Sequence, residues 1–161
     1  MRPALLISSL VLLLLGGLVG LLAKFGGDVV TSKYASYEAA MEDNLFDRGW
    51  LPELIPSSAT SIVTNNNLDL NISHVEFRYD PADTDSFLGN LRPYRDRNSP
   101  TVEYKARVEG MKSENYRPYE YRDYASFWVF FVNSEEGHVV YDLWTVGTPP
   151  PEGAGTTRRD P

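Results

Sequence analysis

The chain contains no cysteine and only two histidines. The first absence excludes a disulfide framework, a thiol nucleophile, a thiolate zinc site and lipid attachment through an N-terminal cysteine. The second leaves His74 and His138 as the only imidazoles for proton transfer or metal ligation. Basic residues are also in deficit, 15 against 22 acidic for a formal charge of −7. That balance repels a phosphate backbone and excludes a nonspecific nucleic-acid binder. There is no G-x-S-x-G, no H-E-x-x-H and no phosphate-binding glycine loop. With 161 residues there is room for one small domain and not for a multidomain enzyme.

What the chain does have is one long apolar run. Residues 4–23 read ALLISSLVLLLLGGLVGLLA, twenty residues without a charge. At about 1.5 Å of rise per residue, a helix of that length covers roughly the 30 Å of a bilayer's hydrocarbon. The run reads as an uncleaved single-pass anchor. A cleaved secretory signal is the competing reading, but a cut after Ala23 would place Leu21 where a small residue is needed. Arg2 and the α-amino group precede the run, which favours an N-terminus inside and a C-terminal domain outside. In a bacterium that is the periplasmic or extracellular side of the cytoplasmic membrane. Gly16 and Gly20 form a G-x-x-x-G spacing that would let two such helices approach and dimerise. The plainer reading is that glycine is common in membrane helices.

Beyond the run the chain is acidic: removing Arg2 and Lys24 from the total of −7 leaves −9. Residues 24–33, with Gly26 and Gly27 together, read as a flexible linker. Residues 147–161 contain three consecutive prolines and no large apolar side chain, and read as a disordered tail. The folded unit is then residues 34–146.

Within it, Ser36 and Glu38 open a helix expected over residues 35–46, ended by Gly49 and Pro52. Two strands, residues 59–64 and 70–79, are expected to pair as an antiparallel hairpin. Asp80-Pro81-Ala82-Asp83 is a helix start, and Phe87 and Leu91 share one face of that second helix. Residues 101–108, TVEYKARV, alternate apolar and polar and read as a strand with one wet face. Residues 126–133, SFWVFFVN, are apolar on both faces and predict the most buried strand. Residues 138–146 return as its hairpin partner after Gly137. The sum is an α+β domain with a mostly antiparallel sheet of about five strands and two helices.

Candidate functional residues are few. Neither His74 nor His138 has a nucleophile or ligand set fixed beside it by a motif, so no catalytic residue is assigned. Asp80, Asp83 and Asp85 resemble hard-oxygen ligands, but the spacing matches no calcium loop and helix capping explains two of them. No metal or cofactor is expected. Tyr116, Tyr119, Tyr121 and Tyr124, interleaved with Arg117 and Arg122, are of the types enriched at interaction surfaces. The plainer reading is a loop leading into the buried strand, with some tyrosines packed over the sheet.

The stretch from Tyr37 to Asn71 carries a resemblance. Gly49-Trp50-Leu51-Pro52, Pro56, Ser58, Ala59 and Ile62, followed by Leu68, Asp69 and Asn71, resemble a segment of small bacterial membrane-anchored proteins, the YbbD-head-like group, with Leu70 departing from an expected threonine. The resemblance covers about a third of the chain and implies no catalytic residue. The leading expectation is a non-enzymatic, membrane-tethered domain that binds an envelope protein or other envelope component through aromatic side chains. The alternative is a small hydrolase or ligand-binding protein with a site near Trp50, Asp69 and His74.

Overall fold

The structure, a computed structural model, describes residues 29–95, 101–123 and 125–145. The proposed span at residues 4–23, with Gly16 and Gly20, and the tail at residues 147–161 lie outside the described residues. No helix among the described residues is long and apolar enough to cross a membrane.

The chain runs β1 (Val29–Ser36), α1 (Tyr37–Glu42), β2 (Thr60–Asn67), β3 (Ile72–Arg78), a 3₁₀ turn (Pro81–Asp83), α2 (Thr84–Leu88), β4 (Arg92–Pro93), α3 (Val102–Ser113), β5 (Arg117–Arg122), β6 (Ser126–Asn133) and β7 (His138–Thr145). The strands form one antiparallel sheet in the order β1-β2-β3-β7-β6-β5-β4. The architecture is α+β, with seven strands among the described residues instead of the expected five.

Strand alternation sorts the core into two clusters. The first face carries Val75, Phe77, Val139, Tyr141, Leu143, Trp128, Phe130 and Val132, covered by Ala40 of α1, by Leu45, Trp50, Leu51 and Ile55, and by Phe87 of α2. Tyr141 donates its hydroxyl to the Trp50 carbonyl, locking the Gly49–Pro52 turn onto the sheet. Trp128 is buried there with its indole N–H lacking an acceptor among the described residues. The second face carries Ile72, Val140, Trp144, Phe127, Val129 and Phe131, covered by Tyr104, Val108 and Met111 of α3. Being covered on both sides is why β6 and β7 read as continuous apolar runs. Each fully buried phenylalanine among them contributes about 1.5–3 kcal/mol by leaving water.

Several local readings hold. Ser36 accepts from the Ala39 N–H and caps α1, although the helix stops at Glu42, short of Phe46. Asp80 caps its turn through the Ala82 N–H. Ser58 accepts from the Asp80 N–H and donates to the Asp83 carboxylate, pinning that turn to the start of β2.

Three readings are corrected. Residues 29–33 are part of β1, not of a flexible linker, because Val29, Val30 and Thr31 are β-branched and pair along β2. Residues 102–113 are helix, not strand: Thr101 caps by accepting from the Tyr104 N–H at 3.1 Å. Tyr104, Val108 and Met111 then meet the sheet at helical spacing, while Val102 is left 80% exposed. Residues 117–122 form β5 where a loop was expected. Its Pro118 is tolerated because the neighbour on that side, β4, is only two residues long.

Gly137 ends the β6–β7 turn at φ +57°, and a Cβ there would lie 2.2 Å from the Tyr79 carbonyl oxygen. Gly49, at φ +75°, has open space around it. Gly137→Ala is therefore expected to destabilise the fold by clearly more than the roughly 1 kcal/mol expected of Gly49→Ala, which has only the left-handed backbone to contend with, as measured by chemical denaturation of both variants.

Candidate functional site

Where the two halves of the second face meet, the sheet buries a charge. Asp142 lies mid-strand in β7 with no exposed surface. Its register partner on β3 is His74, whose Nδ1 is 2.8 Å from Oδ1. From α3, Arg107 grips both carboxylate oxygens, Nε to Oδ2 at 2.8 Å and Nη2 to Oδ1 at 3.1 Å. Tyr104, one turn earlier, donates its hydroxyl to Oδ2 at 3.0 Å. Burial pushes the Asp142 carboxyl up, but the His74 hydrogen bond and the Arg107 guanidinium more than offset it, leaving it below the ordinary carboxylate range. Burial, reinforced by the Asp142 charge, pushes the Tyr104 hydroxyl well above its usual value.

An ionised carboxylate only accepts, so His74 Nδ1 bears the proton and Nε2 is left as the outward nitrogen. Nε2 has no hydrogen-bonding partner among the described residues. His74 is only partly covered, its side chain 24% exposed. One row along β3, Glu76 bonds His138 Nε2 at 2.8 Å, and His138 Nδ1 is 2.6 Å from the Tyr116 hydroxyl. His138 is thus buried.

The row through Asp142 continues outward. His74 is registered with Asn65 on β2, and Asn65 with Thr31 on β1, whose hydroxyl donates to the Asn65 side-chain oxygen at 2.7 Å. The outward face of β1, β2 and β3 therefore presents Thr31, Lys33, Val63, Asn65, His74 and Glu76. All are at least partly exposed, His74 with Arg107 of α3 at 3.5 Å from its Nδ1.

The residues singled out from the sequence are dispersed. Trp50 is buried under the first face, His74 is on the second, and Asp69 is exposed in the β2–β3 turn. That turn is closed by Asn67, which accepts from the Leu70 N–H, while Asn71 reaches across to Thr145 at 2.6 Å. Tyr119 and Tyr121 pack into the first cluster and Tyr116 into the second, on opposite faces of β5 and its approach, so they form no common aromatic patch. Tyr124 lies outside the described residues.

As chemistry, an aspartate holding an imidazole in one tautomer is half of an acid–base apparatus. Thr31, the nearest hydroxyl along the row apart from Tyr104, is two strands from His74, on the order of 10 Å, and is committed to Asn65. A shallow depression on the other face is lined by Leu54, Pro56, Ser57, Asp83, Ser86 and Asn90 and reaches neither histidine. No group of three metal-capable side chains gathers among the described residues. Asp80 and Asp83 instead hold their own turn. Asp142, Arg107 and Asn65 escaped the sequence reading; an aspartate inside the apolar run HVVYDLWT was the one visible signal.

Residues 28–78 match the YbbD head domain family. The matched stretch holds β1, α1, β2 and β3, and with them all six residues named on the outward face of the strands, His74 included, but neither Arg107 nor Asp142. No curated protein and no solved structure matches the chain.

Asp142→Asn removes the buried carboxylate charge that Arg107 grips and is expected to cost about 3–5 kcal/mol at neutral pH in chemical denaturation. Because the folded carboxyl titrates below the unfolded value of about 3.9, the wild type holds this advantage above that pH. The gap between wild type and variant should narrow as pH falls through the folded value.

Proposed function

We propose that this chain is a membrane-tethered envelope domain that performs no catalysis of its own and binds an extended segment of another envelope protein along β1 and the uncovered face beside it. In this reading the span at residues 4–23 holds it in a bacterial cytoplasmic membrane with the folded domain outside. The binding face includes Lys33, Asn65 and His74.

The observation that carries the reading is the asymmetry of the sheet's edges. One edge is β4, two residues long; the other is β1, eight residues with no strand on its outer side among the described residues. A long edge strand offers a row of unpaired backbone donors and acceptors, and proteins that do not use such an edge shorten or cover it. Addition of a partner strand satisfies those groups and lays its side chains over the adjoining face. There the partner meets Lys33 on β1, with Asn65 and His74 on the next two strands of the same face. The match to the YbbD head domain supports the same half of the molecule, since it stops at the end of β3.

A photo-crosslinking residue placed singly at Lys33, at Asn65 and, as a control, at Lys105 on the outer side of α3 tests this in native membranes. Discrete adducts are expected from the first two positions and none from the third, with the Lys33 adduct reduced several-fold by His74→Ala. Adducts equal at all three positions, or absent from all three, would defeat the reading.

A further inference from the structure

Six large apolar side chains are exposed among the described residues, and four of them, Val29, Val30, Leu68 and Leu70, lie at one end of the sheet. Val29 is registered with Asn67 and Val30 with Asn66, so the start of β1 lies against the β2–β3 turn that carries Leu68 and Leu70. The other two, Met41 and Val102, are elsewhere, Met41 in α1 at the opposite end of β1. Four branched side chains about half in water at one tip form a surface that gains by being covered.

The tether identifies what covers it. Between Ala23, the last residue of the apolar run, and Val29 there are five residues, KFGGD. Six Cα steps of at most about 3.6 Å give a reach of roughly 20 Å. The headgroup layer on one side of a bilayer is itself about 5–8 Å thick. A domain leashed that closely, and entered at β1, holds this tip nearest the lipid. The short leash also keeps the local concentration of lipid at the tip high.

We infer that the tip formed by Val29, Val30, Leu68 and Leu70 docks on the surface of the bilayer that holds the span, seating its apolar side chains among the headgroups of zwitterionic phospholipid. The inference rests on the tether proposed above. Charge selects the lipid: the chain beyond Lys24 carries −9, and Asp69 stands between the two leucines, so anionic headgroups repel the tip. Contact is apolar, and Asp69 stays on the water side.

The absence of cysteine allows each position to be labelled alone. The full chain bearing an environment-sensitive fluorophore at Leu70→Cys, or at Met41→Cys, is reconstituted in zwitterionic vesicles containing a lipid-borne quencher. The label at position 70 should lose most of its emission and the label at 41 almost none, and adding anionic lipid should lessen the loss. Because a dye can itself seek lipid, a label at Val30→Cys is compared with and without Leu68→Ser and Leu70→Ser, and quenching should fall several-fold in the double-serine background. If the protein resists carbonate extraction yet position 70 is as open to aqueous iodide as position 41, the tether stands and the docking is overturned. Release by carbonate overturns the tether and the docking together. Shielding at position 70 that ignores the lipid quencher and grows with protein density assigns the tip to a second copy, which also overturns it.

Discussion

A carboxylate with no surface in water is tolerable only when its charge and its lone pairs are all answered, and Asp142 is answered from two directions. Arg107 and Tyr104 come down from α3 and His74 comes across from β3, so one buried charge fixes the helix, the central strand and its neighbour relative to one another. The apolar contacts of α3 with Val129, Phe131 and Trp144 would tolerate some sliding. The guanidinium fork, needing two oxygens at once, tolerates much less. The imidazole orientation on the exposed part of the second face is therefore set in part by the helix that covers the neighbouring strands.

How far this was legible depends on which forces act locally. Ser36, Asp80 and the Gly137 turn bond to residues near in sequence, and their roles are visible in the residues themselves. The apolar runs of β6 and β7 announce two-sided burial wherever they occur. Residues 102–108 misled because Val102, Tyr104, Ala106 and Val108 alternate while Tyr104, Val108 and Met111 also fall at helical spacing. Only the cap at Thr101 and the surface available on the sheet decide between the two periods. Likewise β1 and β5 exist because a neighbour accepts them, through β2 and β6, and no short window contains that information. The candidate face was the least legible of all. It is assembled by strand register, with Thr31, Asn65, His74 and Asp142 brought into one row from four separate strands.

The family match and the ion network divide the molecule differently. The match ends at Arg78, taking in β1 to β3 and the turn around Trp50, while the groups that hold His74 come from residues beyond it. The Tyr141 hydroxyl does the converse, reaching from β7 to the Trp50 carbonyl inside the matched stretch. The matched stretch and the residues beyond it are thus joined on both faces by polar contacts whose partners are more than sixty residues apart.

The direction of β1 has a mechanical consequence. It is the first strand among the described residues and joins β2 through seven registered residue pairs. With the proposed span fixed in the bilayer, a pull on the domain away from the membrane acts along the axis of β1. Load then falls on the whole β1–β2 ladder in shear instead of parting its bonds one after another from an end. Such a joint resists strongly until it fails as a unit, and failure would strip away the edge strand while leaving β3, β7 and α3 clasped around Asp142.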